Sequence, residues 1–354
     1  MQLPADCPGP VRDGEELDAA KLEAYLKEAI PGVDGPLEVG QFRSGFSNLT
    51  YLLRMGGRDL VLRRPPVGSK VKAAHDMARE FRVLQALHPV FPEAPQPLAF
   101  CDSPEVIGAQ FYVMERVEGV ILRGEKPADF ACPPETVRAA CESLVRKLAE
   151  LHAVAYEDVG LGELQREGSF VERQVNGWVD RYYGSQTDEV ASIDEVVGWL
   201  KANYPADSGA VLIHNDYKFD NLVLDPGDIT RIRGVLDWEM ATVGDPLMDL
   251  GNGLAYWLEP DDTPFGIVPC FLTLEPGCMT RQQVFDCYAE KTGRNVGHTV
   301  FYYVFGLFKL AVIVQQIYYR YKQGLTQDER FAPLIFMVGA LGMKATETIE
   351  KGEV

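Results

Sequence analysis

Leu22, Leu26 and Ile30 fall on one face of residues 16–30, so the chain opens on an amphipathic helix. After Pro31-Gly32 the period changes. Residues 37–42, 49–53 and 59–63 read as three short strands, the first two joined by RSGFSN. A helix is expected over 71–87, then Pro-rich loops through Pro97, then a strand in FYVMERVEG (111–119) running into a loop. Beyond it the period is helical over 134–152, 169–183, 193–203, 246–258, 281–292, 300–321 and 331–350. Ser169 with Glu172 predicts a capping box, and Asp245-Pro246 an N-cap followed by proline at the first helical position. Residues 221–238 break the pattern: LVLD, a Pro-Gly-Asp turn and IRGVLDW read as a hairpin. The class is α+β. A small N-terminal lobe of strands and helix covers 1–114, a connecting hinge 115–119, and a mainly helical lobe with one hairpin 120–354.

Composition narrows the partners. The chain has 354 residues, enough for two lobes, with 34 Lys plus Arg against 52 Asp plus Glu and a net charge of −18. Such a field repels nucleic acid and anionic lipid, so neither a nucleic-acid nor a membrane partner is expected. The 7 cysteines are scattered and form no CxxC pair, which removes zinc ribbons and redox motifs and suits a reducing cytoplasmic setting. No basic and apolar leader opens the sequence, and the longest apolar run, 301–314, is interrupted by Lys309 and reads as a core helix.

The densest polar stretch is HNDYKFDNLVLD, from His214 to Asp225. In phosphoryl transfer from ATP, an aspartate must accept the proton of the attacking hydroxyl. An asparagine further along the same loop can ligand a metal on the phosphates. Asp216 and Asn221 have the H-x-D-x-x-x-x-N spacing that does this, although an Asx-rich turn would look the same. The hairpin then returns Asp237, in GVLDWE, beside Asn221, and two hard oxygen ligands suited to Mg²⁺ come together.

Two further features point the same way. Glu80 falls inside the apolar arc of Met77, Phe81, Leu84 and Leu87, where a carboxylate is costly without a cation. Arg63 closes a predicted strand just upstream and is the candidate cation, unless both residues are simply exposed. In RSGFSN, Gly45, Ser47 and Asn48 could turn backbone N–H groups and a hydroxyl toward phosphates, or merely close a hairpin. Lys218 could touch a terminal phosphate or be exposed, and His214 could brace the loop or pack as an ordinary core histidine. Lys309 could meet an anionic acceptor or snorkel. His75, His88, His152 and His298 have no partner at metal-ligand spacing. Tyr302, Tyr303, Tyr318 and Tyr319 read as core.

SGFSNLTYLL, LVLRRPP, REFRVLQAL, FYVMERVEG, HNDYKFDNLVLD and LDWEMATVGDPLMDLG run in the order seen in one family and cover most of residues 15–325. On these segments the chain resembles the aminoglycoside phosphotransferase and choline kinase group, small-molecule kinases with a bilobal protein-kinase-like fold. It is most similar to the branch that also occurs as a kinase-like domain fused to acyl-CoA dehydrogenases. The resemblance implies Asp216 as catalytic base, with His214 and Lys218 beside it, and Asn221 and Asp237 as metal ligands. It also implies that Arg63 holds the α/β-phosphates, with Glu80 orienting it, and that the backbone around Glu115 to Val117 holds adenine. Gly244, Asp245, Pro246 and Asp249 match the family's GDPxxDL segment and are expected to brace the catalytic loop. Two departures stand out: Arg63 where lysine is usual, and Asn215 where many relatives carry glycine. An arginine cannot lose its charge and still grips phosphate oxygens.

The expected activity is ATP-dependent, Mg²⁺-assisted O-phosphorylation of a small hydroxyl-bearing molecule. The acceptor classes in view are an aminoglycoside, an amino alcohol and a hydroxyacyl compound. A nucleotide-binding pseudokinase or scaffold is the alternative, but the base and both metal-ligand positions are filled. A two-metal phosphohydrolase would need further His or Asp ligands.

Overall fold

A computed structural model of the chain describes residues 7–42, 48–66, 76–123, 126–127, 130–262 and 270–354. In chain order its principal elements begin with α1 (Ala19–Ala29), β1 (Glu38–Gln41), β2 (Leu49–Met55), β3 (Arg58–Arg64), α2 (Met77–Leu87), β4 (Pro97–Cys101) and β5 (Phe111–Glu115). Then come α3 (Pro134–His152), α4 (Phe170–Ser185), α5 (Ala191–Ala202), β6 (Val211–Ile213), β7 (Leu222–Asp225), β8 (Asp228–Val235) and β9 (Thr242–Gly244). Four helices close the chain: α6 (Pro246–Leu254), α7 (Arg281–Thr292), α8 (Thr299–Lys322) and α9 (Leu334–Lys351).

The chain divides into two compact units. The first comprises Met1–Ile121, Val159–Leu161 and Asn221–Ala241; the second comprises Leu122–Asp158, Gly162–Asp220 and Thr242–Val354.

In the first unit, five strands pair antiparallel in the order β1-β2-β3-β5-β4. Their alternating residues dress the two faces differently, as a period of two requires. On one face Tyr51, Leu53, Leu60, Leu62, Phe111 and Val113 form a core with Leu22 and Leu26 of α1. On the other, Tyr112 and Phe100 meet Phe81 of α2. Arg63 pairs with Tyr112 across β3 and β5, so its side chain emerges on the α2 face. Asp76 starts α2 by accepting the Arg79 N–H at 2.9 Å. The part of this expected helix from 71 to 75 lies outside the described residues.

The β7–β8 hairpin belongs to this same unit rather than to the helical one. Val120 exchanges backbone bonds with Leu224, and the Val235 N–H reaches the Glu93 carbonyl at 2.8 Å. Gly119 makes the close approach possible, since a Cβ there would lie 2.4 Å from the Leu224 carbonyl oxygen.

The second unit is built on α8, whose aromatic and aliphatic residues are buried from Phe301 to Val312. Among the described residues, α8 and the stretch Glu329–Lys351 are long and apolar enough to cross a bilayer, but 78% of the apolar window of α8 is buried, so it is a core helix. Tyr302, Tyr303 and Tyr318 sit in that core as expected, with Tyr319 half-buried. Helices α6 and α8 cross at two glycines. A Cβ on Gly251 would meet the Tyr302 carbonyl at 2.3 Å, and one on Gly306 would meet the Gly251 carbonyl at 2.3 Å.

The caps differ in detail from the sequence reading. Asp245 caps α6 through the N–H groups of Leu247 and Met248, with Pro246 following. Ser169 accepts the Glu172 N–H, but the further N-terminal amides, Phe170 and Val171, go to Asp207 at 2.6 and 3.3 Å. A full capping box forms instead at Thr280 and Gln283 of α7.

Candidate active site

In the first unit, the chemistry gathers around one guanidinium. Arg63 Nη1 donates to Glu80 Oε1 at 2.5 Å, and Nη2 donates to Asp237 Oδ1 at 2.9 Å, with Glu239 at 3.8 Å. Arg63 and Glu80 are buried. Burial works against a charged Arg63, yet the Glu80 and Asp237 carboxylates more than offset it and hold the guanidinium protonated. Burial pushes the Glu80 pKa upward, and Arg63 pulls it back. Glu80 also accepts the Trp238 N–H at 3.2 Å, which fixes the chain just after Asp237. The apolar arc around Glu80 thus contains the cation it requires.

Asp237 adopts φ +71°, ψ +66°, a left-handed conformation uncommon outside glycine. The Leu236 N–H donates to the Asn221 carbonyl at 2.8 Å, so the hairpin places residues 221 and 237 side by side. An amide oxygen and a carboxylate are hard donors, and a Mg²⁺ ion completes such a pair with phosphate oxygens and water. Among the described residues, no group of three or more His, Cys, Asp or Glu could hold a metal. The donor chemistry therefore fits a phosphate-bound magnesium ion.

Asn48 is buried and donates to Glu239 Oε2 at 2.6 Å. Gly45 and Ser47 lie outside the described residues. In the expected adenine segment, the Glu115 amide is bonded to the Gln96 carbonyl at 2.9 Å and the Arg116 amide to Asp59 at 3.3 Å. The Glu115 carboxylate pairs with Arg58. Val117 packs where a Cβ on Gly234 would sit.

In the second unit, a buried carboxylate organises the loop that carries Asp216. Asp249 of α6 receives the His214 N–H on Oδ2 at 2.8 Å and the Asn215 N–H on Oδ1 at 2.6 Å. His152 Nε2 lies 3.1 Å from Oδ2, and His152 Nδ1 is 2.7 Å from the Tyr288 hydroxyl. Burial would raise the Asp249 pKa, but the bonds from His152 and the His214 amide hold it below the ordinary aspartate value. His214 is fully buried, and its Nδ1 accepts the Asp216 N–H at 3.3 Å. Lys218 donates to Asp216 Oδ1 and lies over the Tyr256 ring at 4.6 Å. Despite burial, the Asp216 charge keeps the Lys218 pKa raised.

Lys309 does not snorkel. Its ammonium is buried and donates to the Asn215 carbonyl at 2.8 Å and to Asn215 Oδ1 at 3.0 Å. Burial lowers its pKa to about 8. Sequence reading also missed His152 as a partner of Asp249, and Glu239 as a partner of Asn48. The only signal for His152 was a histidine in the last turn of an amphipathic helix, which asks for a polar partner without naming one.

The sequence profile of the phosphotransferase enzyme family (APH) matches residues 38–267. Acyl-CoA dehydrogenase family member 11 of Rattus norvegicus is 35% identical over 324 residues, which is 89% of this chain and 41% of that protein. The chain thus spans about two fifths of the length of this relative. A crystal structure from Ralstonia eutropha JMP134, named provisionally as an aminoglycoside phosphotransferase, superposes with a TM-score of 0.77 at 28% identity, covering 94% of this chain and 99% of that one. Choline kinase from Cryptosporidium parvum has a TM-score of 0.63 at 14% identity, covering 95% and 97%. A thermostable mutant of aminoglycoside phosphotransferase APH(4)-Ia, in ternary complex with ADP and hygromycin B, has a TM-score of 0.58 at 16% identity, covering 92% and 98%. At these identities the last two speak for the shared kinase-like fold alone. The profile spans well over half of the chain, a stretch that contains the Asp216 loop and the Asp237 turn, so this protein belongs to the phosphotransferase enzyme family.

Proposed function

We propose that this chain transfers the γ-phosphate of ATP to the hydroxyl of a small molecule. The observation that carries the reading is the buried Arg63, which binds Glu80 and Asp237 at once. A guanidinium fixed by two carboxylates is a rigid charge, and the N–H groups it has left would bind phosphate oxygens. In the first unit, Arg63 would hold the α/β-phosphates, Glu80 would orient it, and Val117 with its neighbours would take adenine. Asn221 and Asp237 would hold Mg²⁺, which when bound neutralises developing charge on the phosphates.

In the second unit, Asp216 would accept the hydroxyl proton as the acceptor oxygen forms its bond to the γ-phosphorus. The bond from that phosphorus to the bridging oxygen breaks, and ADP leaves with the electron pair. Positioning and charge neutralisation supply the acceleration, so the fixed geometry of the Asp216 loop matters as much as its chemistry. Nucleotide use is supported by a fold shared with a protein crystallised with ADP and hygromycin B.

The acceptor would be read by the helices of the second unit. Aminoglycosides, amino alcohols and hydroxyacyl-CoA compounds are the classes to try, the last suggested by the acyl-CoA dehydrogenase relatives. The test is ADP release from MgATP with each class in turn. Stimulation by one class, with phosphate recovered on its hydroxyl, is expected. Tight ATP binding with no stimulation by any class would favour a nucleotide-binding scaffold instead.

A further inference from the structure

The Asn215–Asp216 peptide is pinned at both of its polar atoms. Its carbonyl oxygen receives the Lys309 ammonium at 2.8 Å, and its N–H goes to His214 Nδ1 at 3.3 Å. Asn215 is held at its other groups as well. Its own N–H meets Asp249 at 2.6 Å, and its side-chain oxygen accepts from Lys309 at 3.0 Å and from Asn252 Nδ2 at 2.9 Å. The residue needs this support, because its φ of +68° is left-handed. Asparagine tolerates that region better than most residues but does not prefer it.

Lys309 stands mid-way along α8 between Phe308 and Leu310, with its ammonium 5.6 Å from the Trp178 ring centroid. An aliphatic side chain would fill this position without desolvating a charge. Two of the three donors of Lys309 are spent on a single residue, so the side chain is committed to the loop rather than to a ligand.

We infer that Lys309 is a positioning residue for phosphoryl transfer: by clamping the Asn215–Asp216 peptide it sets the direction in which the Asp216 carboxylate points. This rests on the reading of Asp216 as the base. Glycine at 215 would reach the same φ unaided. With asparagine there, the lysine does the holding. A loop freed to shift by an ångström loses on the order of 100-fold in rate without weakening nucleotide binding.

The test compares Lys309→Met with the wild type in the full chain, by two readouts. Hydrogen exchange of the amides from His214 to Tyr217 should rise about 10-fold or more, while those of α6 and α8 stay protected. The kcat for MgATP turnover with water as acceptor should fall about 10- to 100-fold, with the KM for ATP within about twofold. Asn215→Gly added to Lys309→Met should recover part of kcat. Unchanged loop exchange would overturn the inference. So would loosening spread evenly through the second unit, which marks a merely structural lysine. A kcat unmoved by Lys309→Met would also overturn it, provided Asp216→Ala lowers kcat. If Asp216→Ala leaves kcat unchanged, the base reading fails instead, and the exchange data alone decide whether Lys309 holds the peptide.

Discussion

Arg63 and Glu80 form a buried ion pair in which the guanidinium of a strand meets the carboxylate of a helix at 2.5 Å. Seventeen residues separate them in sequence. Desolvating both charges costs most of what their attraction returns, so the pair as a whole adds little stability. Removing Glu80 is different, because the buried guanidinium then keeps only Asp237 at 2.9 Å and Glu239 at 3.8 Å as counter-charges. Glu80→Ala should therefore destabilise the protein by about 3 kcal/mol, the low end for a broken buried pair, read from urea unfolding, and weaken ATP binding by loosening Arg63. A loss under about 1 kcal/mol would mean that water reaches Arg63 freely.

Asp249 makes a pH-dependent contribution. Its folded pKa lies below the ordinary 3.8, so its stabilisation is complete above that value and is lost as pH falls through the folded pKa. Asp249→Asn can accept only one of the two backbone N–H groups that the carboxylate takes, and should cost about 2 kcal/mol near neutral pH. The gap between wild type and variant should shrink steadily below about pH 4. Urea unfolding of both proteins near neutrality and near pH 3 checks this. A gap that persists unchanged in acid would rule out the ionised carboxylate as its source.

The crossing of α6 and α8 ties packing to the site, because α6 carries Asp249. Gly306→Ala puts a methyl group within 2.3 Å of the Gly251 carbonyl, so the helices must part. Overpacking of this kind costs about 1–3 kcal/mol. A lowered melting temperature, with looser exchange at the His214 and Asn215 amides, is expected. An unshifted melt would show that the crossing has slack.

Much of this was legible in the sequence where a local rule applied. The limits of α3 and α7 coincide with the apolar period and its punctuation by Pro134 and Gly293. Glu80 announced a cation because a carboxylate on an apolar helical face must be paired. The strand β4 was not legible, since it begins at Pro97 in a Pro-rich run. The pair β6 and β9 has only three residues per strand, and its partners, such as Ile213 and Thr242, lie far apart in sequence. Asn215 could be read as a glycine-like position, and its φ of +68° gives the reason. Asp249 was expected to brace this loop and does so, but the hold of Lys309 could not be read, because it reaches Asn215 from 94 residues away. A buried lysine in a sequence says that it needs a partner, and only the fold says which.

Asp216 is proposed to accept the acceptor's proton. The most direct measurement is MgATP turnover and ATP affinity of Asp216→Ala beside the wild type. A general base contributes about 100- to 10,000-fold, and the nucleotide contacts proposed for the first unit do not involve Asp216. Turnover should therefore fall by about that factor while the Kd for ATP stays within about threefold. Turnover equal to wild type in a folded Asp216→Ala protein would contradict the account.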